Sequence, residues 1–328
     1  MILFWVGALA LTVLLYVVLD GFDLGVGILF LFTRSEDHRR QMLAAISPLW
    51  DGNETWLVVT GTILFGAFPR VYATLLAAFY LPMILLLASL ILRGVAFEFR
   101  YKATKMRWLW DLGFAGGSVV ASFIQGLTVG ALVEGIPTIN GQFSGGPLSW
   151  FDPFTCLCGI GLCLGYALLG AAWLVGKTEG RIRDRGYQIM PGLIVGVFVF
   201  LGLIFALSVV IHLQMLSRWV ERPYLVVFPM VGVIAALRLF GAIRHRRDAT
   251  PFRMCVLIFM AAFGTLGVSF WPYMIPSSVT IDQAAAPSSS LSFMFWGAGL
   301  VVLPLTLSYT AVVYRTFRGK FSVGTEEH

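Results

Sequence analysis

The chain is 328 residues long, 58% of them apolar and only 12% charged, about half the charged share of a soluble domain. That composition excludes an ordinary water-soluble globule, and the net charge of +6 is read loop by loop rather than as a sign of nucleic-acid binding. Cys156, Cys158 and Cys163 crowd together and Cys255 stands apart, which makes neither a disulfide framework nor a zinc pattern with histidine.

At about 20 residues per span the length accommodates nine transmembrane helices and no separate soluble domain. In chain order the apolar runs predict spans at 2–32, 43–68, 71–93, 112–134, 155–176, 190–216, 224–243, 252–275 and 289–316. The first run lacks a basic leader and a small-residue cleavage pattern, so it reads as a retained helix. Phe-Pro-Arg at 68–70, Gly-Ile-Pro at 135–137, Arg-Pro at 222–223 and Ile-Pro-Ser-Ser at 275–278 break the chain between runs. Residues 1–328 therefore form one membrane domain. Its N-terminal half, 1–134, carries the polar residues, and 155–316 forms the second half.

Lysine and arginine resist translocation, so their distribution sets orientation. With the N-terminus outside and the C-terminus cytoplasmic, every one of the 23 Lys and Arg residues except Arg70, Arg218 and Arg222 falls on the cytoplasmic side, Arg93 and Arg100 being counted with the loop after the third span.

Charged groups at membrane depth are expensive and read as functional by default. Asp20 and Asp23, three residues apart on one helix face, lie roughly 14 to 18 Å from the cytoplasmic end of the first span at 1.5 Å per residue. Asp51, Asn53 and Glu54 fall about a third of the way along the second span, entering from the same side. Glu98 and Lys102, one turn apart beyond the third span, stand at the mouth of this acidic group. A line from Glu98 and Lys102 through Asp51 to Asp23 has the form of a proton route from the cytoplasm. The competing reading is that the acids pair with Arg93 or Arg100 to hold helices together.

Gly21, Gly25 and Gly27 read as small-residue packing between helices, and Trp50 and Trp56 as candidates to line a cavity. His38 and His245 fall in loops, His328 at the tail and His212 near the outer end of a span. No two histidines face each other inside the membrane as axial haem ligands, so any redox metal is expected on another chain, and no metal site is assigned to this one.

The segments GFDLGVG after Asp20, SPLWDGNETWLV at 47–58, FPRVYATLLAAFYLPMILLLASLILRGVAFEFRYK at 68–102 and WPYMIPSSVTID at 271–282 together resemble subunit II of the cytochrome bd-type quinol oxidases. The likeness is most specific in the first hundred residues and returns at the MIPSS loop. It implies an all-α polytopic membrane protein, about nine helices arranged as two four-helix bundles plus a peripheral helix, in a bacterial cytoplasmic membrane. It further implies a complex that oxidises quinol and reduces dioxygen to water, with haem b and haem d (or b in place of d) ligated by subunit I. A structural quinone and a small third subunit are left open, as is the choice between ubiquinol and menaquinol; lipid is a partner and nucleic acid is not.

The resemblance places Asp51 at the subunit interface on a proton route, Trp56 beside an oxygen channel, and Glu98 and Lys102 at the cytoplasmic proton entrance. Asp20, Asp23 and Glu54 join the proton path, and Trp50, Arg93 and Arg100 join Trp56 at the oxygen or haem interface. Glu54 departs from a Gln found in other members, and Glu98 from a shorter Asp. Short outer loops and overall length point to the cyanide-insensitive-like branch. Two rival readings remain at this stage: a proton- or cation-coupled secondary transporter with its site near the midplane, and a purely structural subunit.

Overall fold

The computed structural model describes residues 1–103, 105–211 and 223–320; the predicted positions of His212, Arg218, Arg222 and His328 lie outside them. Continuous apolar runs give long helices: α1 (Ile2–Phe30), α3 (Trp50–Ala67), α5 (Tyr80–Lys102), α6 (Arg107–Glu134), α7 (Pro153–Lys177) and α8 (Gly180–Ile211). After a 3₁₀ turn at Pro223–Val226 follow α9 (Val227–Arg244), α10 (Thr250–Phe270) and α11 (Ser288–Thr316), the last with π-helical winding over Phe295–Val302. Two shorter helices, α2 (Glu36–Ala44) and α4 (Pro69–Ala78), interrupt the series. Among the described residues eight helices are long and apolar enough to span a membrane, and the α3–α4 pair, bent by 120°, makes a ninth.

Helix α7 is the hub. It packs on α1 and α6 from one group (α1, α3, α5, α6) and on α8 and α10 from a second (α7 to α10), while α11 lies at the periphery. Burial follows: 78% of the spanning window of α7 is inside the protein, against 11% for α11. Close backbone approach makes the α1–α7 contact. A Cβ on Gly25 would come within 1.8 Å of the Tyr166 carbonyl oxygen, and one on Gly170 within 2.5 Å of the Gly25 carbonyl carbon. The glycines that the sequence reading assigned to packing do pack. Phe22 stacks on Trp173 at 4.0 Å, and the Trp173 indole donates to Ala45 O, fixing the turn after α2 beneath the bundle.

Three predicted spans change. The sixth starts at Gly180 rather than 190, because the charged stretch 181–185 continues the helix beyond the apolar run. The second span starts at Trp50 rather than 43, because Pro48 and the turn before it end the polar helix α2 and restart the chain. Asp51 therefore stands in the first turn of α3, not a third of the way along. The third span runs over 80–102 rather than 71–93, because α3 breaks at Phe68, α4 runs for ten residues, and the chain turns again at Phe79. Glu98 and Lys102 are consequently in the last turns of α5 rather than beyond it. At the first break the Ala67 carbonyl accepts from Ala286 N at 2.9 Å, so the loop before α11 satisfies part of the interrupted backbone.

Candidate functional site

Arg93 is the centre of a polar cluster inside the bundle. The sequence reading counted it with a cytoplasmic loop, yet α5 extends past it and its side chain is 1% exposed. Nη1 donates to Asp20 Oδ1 at 3.1 Å and to Glu54 Oε1 at 2.7 Å, tying α5 to α1 and α3. Asp20 is fully buried, whereas the Glu54 side chain remains 25% exposed. Asp23, also fully buried, takes a different partner: Asn53 Nδ2 donates to Asp23 Oδ2 at 2.7 Å and to Leu19 O at 3.1 Å.

Sequence reasoning missed the outer members of this network. The Tyr314 hydroxyl, from α11, donates to Asn53 Oδ1 at 2.9 Å. On the other side Tyr166 OH donates to Gln125 Oε1 at 2.7 Å, and Gln125 Nε2 donates to Tyr16 OH at 2.8 Å. A tyrosine in an apolar run carries no signal of its own, and Tyr314 lies 261 residues from Asn53. Several buried polar atoms, among them Asp23 Oδ1, Arg93 Nε and Nη2, and Trp56 Nε1, have no protein partner among the described residues. Polar atoms sealed from lipid need water or a neighbouring group.

Three of the remaining predicted residues face outward. Asp51, Glu98 and Lys102 are exposed, and none makes a side-chain hydrogen bond or ion pair among the described residues. Asp51 and Glu54 are three residues apart, so they share a face of α3. Trp50 is half-buried and packs on Phe97 with ring centroids 5.3 Å apart; Trp56 is fully buried. Arg100 joins a second, separate network at the Arg-rich rim. It bonds Asp111 through Nε and Glu36 through Nη2 at 2.7 Å, while Arg39 reaches Asp111 at 2.7 Å and Arg107 reaches Glu36 at 3.1 Å. Partial desolvation at Glu36 opposes ionisation, but bonds from Arg100 and Arg40 and the charge of Arg107 outweigh it and hold the carboxyl below its ordinary range. At the same rim Asp248 is desolvated in part, yet Lys320, Tyr187 and Arg183 together hold its carboxyl low as well. Lys177 donates to the carbonyls of Phe317 and Gly319. These contacts anchor the end of α11.

Among the described residues no histidine lies within a membrane span. His38 lies in α2 and His245 in the turn after α9, both outside the spans, and Cys158 and Cys255 are buried in apolar helices. The inner cluster supplies carboxyls, the buried guanidinium of Arg93 and hydroxyls, groups that hold charge and exchange protons.

Fold and cluster thus define a polytopic helical membrane subunit with acids sunk between its first helices. Residues 1–317 match the family described as cytochrome bd terminal oxidase subunit II, and the chain belongs to that family. It is 31% identical to the cytochrome bd-I ubiquinol oxidase subunit 2 of Escherichia coli K12, over 94% of this chain and 91% of that one. It is 30% identical to the cytochrome bd ubiquinol oxidase subunit 2 of Bacillus subtilis, over 93% and 92%. The fold matches a chain of the bd oxidase from Geobacillus thermodenitrificans with a TM-score of 0.76 at 15% identity, covering 96% of this chain and 98% of that one. The protein is therefore subunit II of a quinol oxidase, a multi-pass membrane component of a bacterial respiratory complex that contains haem and a subunit I. Family membership favours this reading over the transporter.

Proposed function

We propose that this subunit scaffolds the haem-bearing subunit I and carries protons from the cytoplasmic side toward it, with the N-terminus outside and the C-terminus inside. Reducing dioxygen to water consumes as many protons as electrons. Quinol would supply the electrons, and haem b with haem d, or with b in place of d, held by subunit I would carry them. This chain's part is the proton.

The observation that carries the reading is an excess of acid: Asp20 and Glu54 share the guanidinium of Arg93, and a third carboxyl, Asp23, is buried three residues from Asp20 with only an amide, Asn53, bonded to it. A buried ion without a counter-ion costs several kcal/mol, so protons must balance the surplus carboxyls, and such a set takes up and gives back protons as its surroundings change. The route begins at Glu98 and Lys102 on the last turns of α5, continues through exposed Asp51, and reaches Glu54 on the same face of α3. Behind Glu54 stand Arg93 and Asp20. An unpaired carboxyl on a helix otherwise faced with Val58 and Phe65 does not belong against lipid, which supports a subunit I surface over Asp51. Trp50 and Trp56 lie on the same helix and fit a lining role for oxygen passage, with Arg93 and Arg100 at its inner edge.

The test is quinol-dependent oxygen consumption by the purified complex carrying Asp51→Asn. We expect turnover to fall at least tenfold while the visible haem spectrum and subunit content stay as in wild type. Unchanged turnover would mean that the acids only pair to hold helices together.

A further inference from the structure

The face of the protein opposite the Arg-rich rim holds a pocket of about 330 Å³ that has no part in the proton route. Three pieces build it: the first turn of α4, the hairpin of β1 (Thr138–Ile139) and β2 (Gln142–Phe143), and the hairpin of β3 (Tyr273–Ile275) and β4 (Val279–Thr280). They are joined by side chains. Thr74 Oγ1 donates to Gly141 O at 2.8 Å, and Thr138 and Ser278 share a hydroxyl hydrogen bond of 2.5 Å across the two hairpins.

The lining is rich in donors and contains no acid: Arg70, Thr138, Asn140, Ser277, Ser278 and Gln283, with the backbone of Gly141. Arg70 has no carboxylate partner among the described residues. One nitrogen, Nη2, is committed to Asn140 O at 2.5 Å, and this aims the guanidinium across the hairpin. Gly141 makes room for it, since a Cβ there would meet Nη2 at 2.4 Å, and its φ of +76° independently suits glycine. Gln283 Oε1 accepts from Thr280 N at 3.1 Å, so its amide NH₂ is left to point elsewhere. A fixed guanidinium beside hydroxyls and an amide, with no competing carboxylate, matches an anion with several oxygens. Ile139, between two lining residues, is 67% exposed, and Trp271 at the start of the second hairpin is 46% exposed. That places apolar side chains where acyl chains meet headgroups.

We propose that this pocket is a binding site for a phosphate oxyanion, recognised by Arg70 with Ser277, Ser278 and Gln283. The proposal does not depend on the proton reading. The experiment is native mass spectrometry of the purified, delipidated oxidase complex, wild type and Arg70→Gln, offered phosphatidylglycerol, diacylglycerol or inorganic phosphate separately. Wild type is expected to bind one more phosphatidylglycerol than Arg70→Gln, with at least tenfold higher affinity, and diacylglycerol is expected to show no difference. If inorganic phosphate binds in an Arg70-dependent way and displaces the lipid, free phosphate is the ligand; if excess phosphate leaves the lipid count unchanged, the headgroup is. Equal binding of both phosphate compounds to the two proteins overturns the site. Should Arg70→Gln fail to assemble, as judged by its haem spectrum, Gln283→Leu is read in the same way, with a several-fold loss expected and an unchanged count contradicting the proposal.

Discussion

Two charged networks in this protein lie along the same helix and are built on opposite principles. At the rim Arg100 sits with Arg39, Arg40 and Arg107 around Glu36 and Asp111, so cations outnumber acids and all four carboxylate oxygens are engaged. Seven residues earlier on α5, Arg93 bonds both Asp20 and Glu54, buried Asp23 has only an amide partner, and acceptor and donor atoms around them lack partners among the described residues. The rim network is saturated and staples α2 to α5 and α6. The inner cluster is short of cations and keeps spare hydrogen-bonding capacity among the described residues. The same residue type, two turns apart, fastens the fold in one place and, on the proposed reading, tunes charge in the other.

Replacing each arginine separates the two roles. Arg93→Met should have the largest effect: it leaves buried Asp20 and part-buried Glu54 without their cation, and breaking a buried pair from one side costs about 3–5 kcal/mol. The expected outcome is a complex that does not accumulate with intact haem, measured by the visible spectrum of solubilised membranes. Asp111→Asn removes one of the two acids on Arg100, and a lost charged hydrogen bond of this kind is worth about 1.5–3 kcal/mol. The complex should assemble but melt several degrees lower by differential scanning fluorimetry.

Acid titration sharpens the contrast at the rim. The folded-state carboxyl of Glu36 is held below its ordinary 4.5, so its contribution to stability is full above about pH 4.5 and is lost as pH falls through the lower folded value. The melting temperature of the wild-type complex should drop in that window, and Glu36→Gln should flatten the drop while lowering the plateau above it. Smallest of all, Tyr314→Phe removes one hydrogen bond to Asn53, worth about 1 kcal/mol. Its expected signature is a slight loss of thermal stability with haem content unchanged.

Hydropathy made most of the helices legible, because α7, α9 and α10 are largely apolar along their length, but it missed the start of α8, whose first turns carry Arg181, Arg183, Asp184 and Arg185. It failed between 43 and 93 for a local reason. The break at Phe68 is announced by Pro69, but the one at Phe79 has no breaker at the turn, and Pro82 falls in the first turn of α5 where proline is tolerated. That unseen turn shifts the span and moves Arg93 from a supposed loop into the interior. The inner acids Asp20 and Asp23 were readable because buried carboxyls in an apolar run have few innocent explanations. Their partners were less so: Asn53 was visible as polar, but Tyr314 reaches it from the far end of the chain, a pairing that only tertiary packing creates. Asp51 is legible as a charged residue in a helix, and its exposed position adds that no described residue of this chain bonds its carboxyl.

The central claim, that these acids move protons toward subunit I, is tested most directly by following proton uptake with a pH-indicator dye as the fully reduced complex reacts with dioxygen. Alongside it, the anaerobic rate of reduction by quinol is measured in wild type, Asp51→Asn and Glu54→Gln. Both variants should take up protons at least tenfold more slowly while being reduced by quinol at the wild-type rate. Proton uptake at the wild-type rate in both variants would contradict the account.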